Sequence, residues 1–109
     1  MSKPYDLTGI RDMMDRLYTP DYLLRQLAEE YAEVAQAALK LIRATNGETP
    51  VCVSDAMAKL IEEIADADIM RDLMFGTVDP HDIPGYSGIR DFKRQRTLDR
   101  LGAKLHEKQ

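Results

Sequence analysis

Apolar side chains recur three and four positions apart in four successive segments, each closed by turn-forming residues. Leu7, Ile10, Met13, Met14 and Leu17 make the first stripe, over roughly residues 7–18. The stretch "TPDY" then reads as a helix start, with Thr19 as N-cap, Pro20 at the first helical position and Asp21 in the first turn. Leu24, Leu27, Tyr31, Val34, Ala38 and Leu41 carry the second stripe to a stop at Asn46 and Gly47. After the connector "ETPVCV", Ser54 or Asp55 can cap a third helix. Its apolar face runs through Met57, Leu60, Ile61, Ile64, Ala67, Met70 or Arg71, and Met74 to Gly76. "GTVDPHDIPGYSG" reads as a loop, and Ser87 or Gly88 opens a last helix with Ile89, Phe92, Leu98, Leu101 and Leu105 on one apolar side. No segment alternates as a strand would. The pattern predicts an all-α protein with two long central helices and two flanking ones.

A chain of 109 residues makes one domain, 1–109, whose small core leaves apolar surface uncovered and favours self-association. Aromatic residues are 6% of the chain and Trp is absent, which argues against a base-stacking platform for nucleic acid. No apolar run approaches a membrane span, and the first ten residues lack the apolar segment of a signal peptide. The expectation is a cytoplasmic protein with no membrane and no nucleic-acid partner. The lone Cys52, between Val51 and Val53, reads as a buried or half-buried thiol. Charge is unevenly spread: Ile89 to Gln109 carries +4 and the first 88 residues carry −8, within a total of −4.

The acids are concentrated in two places. "QLAEEYAEVAQAALKL" holds Glu29, Glu30 and Glu33, and "LIEEIADADI" holds Glu62, Glu63 and Asp66. Residues three or four apart share a helix face, so Glu30 and Glu33 point together, as do Glu63 and Asp66. Both pairs border the apolar stripes. If the stripes pack together, four carboxylates converge at one level, where like charges raise one another's pKa values and oppose folding. Basic partners or divalent cations can offset that cost, and Arg25, Lys40 and Lys59 are the few cations nearby. Carboxylate oxygens are hard ligands suited to Mg²⁺ or Mn²⁺, and helix bundles build such sites from facing helices. Solvated acids on exposed faces are the plain alternative. The small neighbours Ala28, Ala32, Ala35 and Ala65 favour the cation site by permitting close helix approach.

"EEYAE" followed by "EIAD" resembles the E-E-x-x-E … E-x-x-D signature of the MazG-like, all-α nucleoside triphosphate pyrophosphohydrolases. The surrounding text is similar to short single-domain members found in phages and bacteria, as is the basic "FKRQRTLDRL". The resemblance covers roughly Gln26 to Leu101, loops excepted. It implies a four-helix-bundle-like MazG-type fold with the carboxylates facing each other, completed by oligomerisation as a homodimer or homotetramer. It implies Mg²⁺-dependent (or Mn²⁺-dependent) hydrolysis of a (d)NTP between the α- and β-phosphates, giving the monophosphate and pyrophosphate, a nucleotide-pool house-cleaning activity. Glu30, Glu33, Glu63 and Asp66 match the metal ligands, and Glu29 the leading Glu. Glu29 or Glu62 would accept a proton. Localisation would be the host cytoplasm if the chain is phage-encoded. The sequence departs from the family in the long Val34–Glu62 segment, in the extra Asp68 and in the Gly76–Gly88 loop.

Lys93, Arg96 and Arg100 form one basic face on the last helix, suited to phosphate oxygens. Gln26 joins Asp12, Tyr18 and Tyr22 as a candidate for contacting the base. Two rivals stand beside this reading. One is a related all-α hydrolase specific for dUTP/dCTP or for phosphoribosyl-ATP, although the Tyr-His of the latter is replaced by "DADIMRD". The other is a non-enzymatic helical interaction module with solvated acidic faces.

Overall fold

The computed structural model describes residues 7–108, and the side chains of Leu7, Thr8, Ile10 and Arg11 fall outside the described set. The part of the first predicted stripe on Leu7 and Ile10 therefore lies outside the described residues. All four described helices follow the predicted order: α1 (Leu7–Leu17), α2 (Pro20–Thr45), α3 (Val53–Phe75) and α4 (Tyr86–Glu107), with a 3₁₀ turn at Pro80–Asp82.

Local chemistry sets the ends. Tyr22 N–H donates to Thr19 Oγ1 at 3.1 Å, and Pro20 occupies the first turn, where a missing donor is harmless. Helix α2 stops where Gly47 takes φ 71°, and Glu48 N–H reaches back to the Arg43 carbonyl at 2.9 Å. Gly76, at φ 69°, closes α3 in the same left-handed conformation. Two starts differ from expectation. Helix α3 begins at Val53 with Cys52 as N-cap, so Ser54 and Asp55 sit inside the first turn. Helix α4 begins at Tyr86 after Gly85, ahead of Ser87 and Gly88. Cys52 is exposed, contrary to the expectation from its valine neighbours, because Val51 in the α2–α3 connection and Val53 at the start of α3 are themselves about half exposed.

The chain divides into two compact units, one ending at Val78 and one starting at Asp79. In the first, α2 and α3 pack against each other, and α1 touches α3. Glu30 meets Glu63 while Ala37 and Ala56 line one cleft, so the two helices run antiparallel. The seam on α2 is the seven-residue row Leu23, Glu30, Ala37 and Ala44, and on α3 it is Ala56, Glu63 and Ala67. Of these only Ala67 belongs to a predicted stripe; the other seam positions lie beside the stripes, whose Leu27, Val34, Ala38, Leu41 and Leu60 are half-buried. Leu24, Tyr31, Met57, Ile61 and Ile64 are left exposed. A single partner helix covers only a narrow seam, whereas an apolar stripe over 100° wide needs more than one neighbour.

Ala67, 1% exposed, has no room for a larger side chain. Ala67→Leu is expected to cost about 1–3 kcal/mol by overpacking, lowering Tm by roughly 5–20 °C. Thermal melting checks this, and an unchanged Tm would contradict the seam.

In the second unit the 3₁₀ turn contacts α4. Asp79 accepts the His81 N–H at 3.0 Å, and the His81 ring hydrogen-bonds the Ser87 hydroxyl and meets the Tyr86 ring edge-on. At 3.6 residues per turn, Ile89 and Phe92 fall on a different side of α4 from Leu98, Leu101 and Leu105, so the expected single apolar side divides in two.

Candidate metal centre

Glu30 and Glu33 project from consecutive turns of α2, and Glu63 from the facing turn of α3. One carboxylate oxygen of each lies within 4.8 Å of the others, and Glu62, Glu63 and Asp66 form a second such group. Glu63 belongs to both. The acids were expected at the border of the stripes. Instead Glu63, 7% exposed, lies in the seam, Glu30 is half-buried in line with it, and Glu33 and Asp66 stand exposed at the rim. The helices approach closely because the seam holds Ala37, Ala44, Ala56 and Ala67. Ala28, Ala32, Ala35 and Ala65, expected to do this, are exposed.

The cluster is only partly neutralised from within. Lys59 Nζ lies 3.0 Å from Glu63 Oε1 and 3.5 Å from Glu62 Oε1. The hydrogen bond from Lys59 holds the Glu63 carboxyl below its ordinary range, and the same contact pushes the Lys59 ammonium up. Glu33 is pushed up, first by its hydrogen bond with Glu63 and then by the charge of Glu30. Glu63 therefore stays ionised while Glu33 retains a proton more readily. Two further oxygens, Glu30 Oε2 and Glu63 Oε2, are buried with no hydrogen-bond partner. Burying a carboxylate oxygen without a donor is costly, and a hard cation would satisfy several such oxygens at once. The donor set, all oxygen and on two facing helices, fits that kind of ion.

The remaining candidates are distributed more widely. Glu62 stands in the second carboxylate group, whereas Glu29 is exposed and belongs to neither. Gln26 is half-buried on α2, one turn before Glu30. Tyr18 and Tyr22 stack at 4.8 Å between ring centroids, and Asp12 pairs with Arg16 at 3.1 Å. Arg25 pairs with Asp21 at 2.9 Å. Asp68, unplaced by the sequence, accepts from Arg71 at 3.4 Å, while Arg71 also reaches Asp72 at 3.2 Å. Lys93, Arg96 and Arg100 are exposed on α4, in the second unit, where Arg96 lies over the Phe92 ring at 6.0 Å.

Sequence reasoning gave Lys40 no role beyond its charge and did not single out Arg43. Glu33, Gln36, Lys40, Lys59 and Glu63 line one cleft, and Lys40, Arg43, Thr49 and Lys59 line an adjoining one. The signal was the seven-residue step from Glu33 to Lys40, two helical turns along one face. Comparison with family models, curated proteins and solved structures returns no match.

Proposed function

We propose that this protein is a divalent-metal-dependent hydrolase that cleaves a nucleoside triphosphate at the α–β anhydride, releasing the monophosphate and pyrophosphate. The observation that carries the reading is the pair of buried, unpartnered oxygens Glu30 Oε2 and Glu63 Oε2 inside a carboxylate group drawn from both halves of the E-E-x-x-E … E-x-x-D pattern. Glu30, Glu33, Glu63 and Asp66 would hold Mg²⁺ or Mn²⁺. The ion's contribution is to offset phosphate charge and lower the pKa of a water. Lys59 keeps Glu63 ionised and so available as a ligand. Glu62, beside the cluster, and Glu29, one turn before Glu33, are the carboxylates assigned to accepting the water's proton. Gln26 is assigned to the substrate. No side-chain nucleophile is required.

A panel of NTPs and dNTPs, assayed for pyrophosphate with Mg²⁺ or Mn²⁺, tests the reading. Absence of pyrophosphate from every nucleotide would refute it, and orthophosphate alone would change the reaction class. Lys93, Arg96 and Arg100, on the basic face of α4, are assigned to contacting the substrate. Arg96→Glu is expected to raise KM by about tenfold or more, the loss of a charged hydrogen bond. An unchanged KM would remove Arg96 from the site. The exposed Leu24, Tyr31, Met57, Ile61 and Ile64 support a homodimer or homotetramer that covers the outer apolar rows. Among the described residues no helix is long and apolar enough to cross a membrane.

A further inference from the structure

Beyond the carboxylates, the first unit carries a cationic cleft between the carboxy-terminal half of α2 and the start of α3. It encloses about 310 Å³ and is lined by Lys40, Arg43 and Thr49 on one side and Asp55 and Lys59 on the other. That volume lies at the small end of ligand clefts, roughly 300–1,000 Å³. Its floor is Ala37 and Ala56, both buried, and their short side chains leave the space open. Three cations face one acid, in a body whose charge is otherwise strongly negative.

The cations are not equivalent. Lys59 is engaged by Glu62 and Glu63. Lys40 and Arg43 make no ion pair with any described residue, although Lys40 is near enough to help keep Glu63 ionised. Both therefore present unengaged donors to the cleft, Lys as a point charge and Arg as a planar fork that matches phosphate oxygens. The adjoining cleft contains Glu33 and Glu63 and shares Ala37, Lys40 and Lys59 with this one. One continuous groove thus has an anionic end and a cationic end. A ligand complementary to it is itself dipolar, with a cation-bearing segment followed by free anionic oxygens.

We infer that Lys40, Arg43 and Lys59 form an oligophosphate subsite, which holds the outer phosphates of a chain whose inner phosphates lie at the carboxylates. The identity of what is attached to that chain rests on the proposed hydrolase reading; the anion site does not. Thr49 supplies a hydroxyl donor at its mouth.

The test uses the full chain and inorganic tripolyphosphate, titrated calorimetrically in the presence of Mg²⁺. Wild type is expected to bind, and Lys40→Ala/Arg43→Ala to bind on the order of tenfold or more weakly, as the loss of charged hydrogen bonds requires. Titration with Mn²⁺ alone near pH 7, where the Lys59 ion pair keeps Glu63 ionised in both proteins, is expected to change far less than tripolyphosphate binding, which locates the loss at the cleft. Both side chains are exposed, and Lys40→Gln/Arg43→Gln preserves their bulk, so a loss shared by the two double variants is one of charge. Equal tripolyphosphate binding by wild type and variants would overturn the inference, as would no binding by the wild type. Tripolyphosphate binding that depends on Lys40 and Arg43, in a protein that releases pyrophosphate from no nucleotide, would support the subsite and refute the hydrolase. Pyrophosphate release with a KM unaffected by the double substitution would do the reverse.

Discussion

Glu63→Gln is expected to abolish metal-dependent pyrophosphate release, lowering kcat/KM by more than about 100-fold. Loss of an outer partner of a metal ligand already costs roughly 10–100-fold, and Glu63 is argued to be a ligand itself. It is the one residue common to both carboxylate groups, so a neutral amide there weakens both together. The substitution keeps size and shape, so the seam around Ala56 and Ala67 is not repacked. The ion pair at 3.0 Å is lost, and Lys59 retains Glu62 at 3.5 Å. Asp68→Asn is the matched control. Asp68 follows Asp66 by two residues, which turns it away from that side chain's face; it pairs with Arg71 and belongs to neither group. Its activity is expected to stay within about twofold, because Asp68 is in neither carboxylate group and Arg71 keeps Asp72 as a partner. Steady-state pyrophosphate release across Mg²⁺ concentrations checks both variants. Equal activity of Glu63→Gln and wild type would remove the metal centre, and equal losses in both variants would mean that any acid removed from α3 does the same.

How much of this could be read from the sequence depends on the range of the interaction. The start of α2 was legible because Thr19, Pro20 and Asp21 act within one turn, and the stops at Gly47 and Gly76 because glycine adopts positive φ without strain. Part of the carboxylate cluster was legible as well, since i, i+3 spacing and two facing helices bring Glu30, Glu33 and Glu63 together, whereas Asp66, expected with them, groups with Glu62 and Glu63. The seam was not. Leu24 and Tyr31 carry more apolar surface than Glu30 and Ala37, so side-chain size favours two positions that the structure leaves exposed. What selects the inner row is tertiary: alanines let the backbones approach, and the acids fit between them. A charged residue at a seam position runs against the default of burying apolar groups, which is itself a mark of a functional site. Cys52 misled for a related reason, because flanking valines signal burial only when the segment has a surface to pack against. Asp68 could be placed only once the structure put the Arg71 guanidinium beside it.

Glu33→Gln is expected to reverse its effect on stability according to whether a divalent cation is present. In the folded chain the Glu33 carboxyl is pushed above its ordinary value of 4.5 by its hydrogen bond with Glu63 and by the charge of Glu30. The folded state therefore holds that proton more tightly than the unfolded chain. Its stabilising contribution is complete below about pH 4.5 and is lost as pH rises through the raised value. Glu63 runs the other way. Held low by Lys59, it contributes above 4.5 and loses that contribution as pH falls through its depressed value. With the metal chelated near pH 7, Glu33→Gln removes a repelled charge and leaves the Lys59–Glu63 pair intact, so it should melt higher than wild type. A cation inverts the order, because it requires ionised ligands. At a hundred times its dissociation constant, a bound ion stabilises by about 2.7 kcal/mol, which raises Tm by roughly 10–20 °C for a chain of this length. Wild type should gain that increment, more of it at pH 7 than at pH 5, and Glu33→Gln should gain little. Melting curves in chelator and in Mn²⁺, at both pH values, give the four comparisons. A helical interaction module with solvated acids predicts no metal-dependent increment for either protein, so parallel curves with and without Mn²⁺ would decide for it.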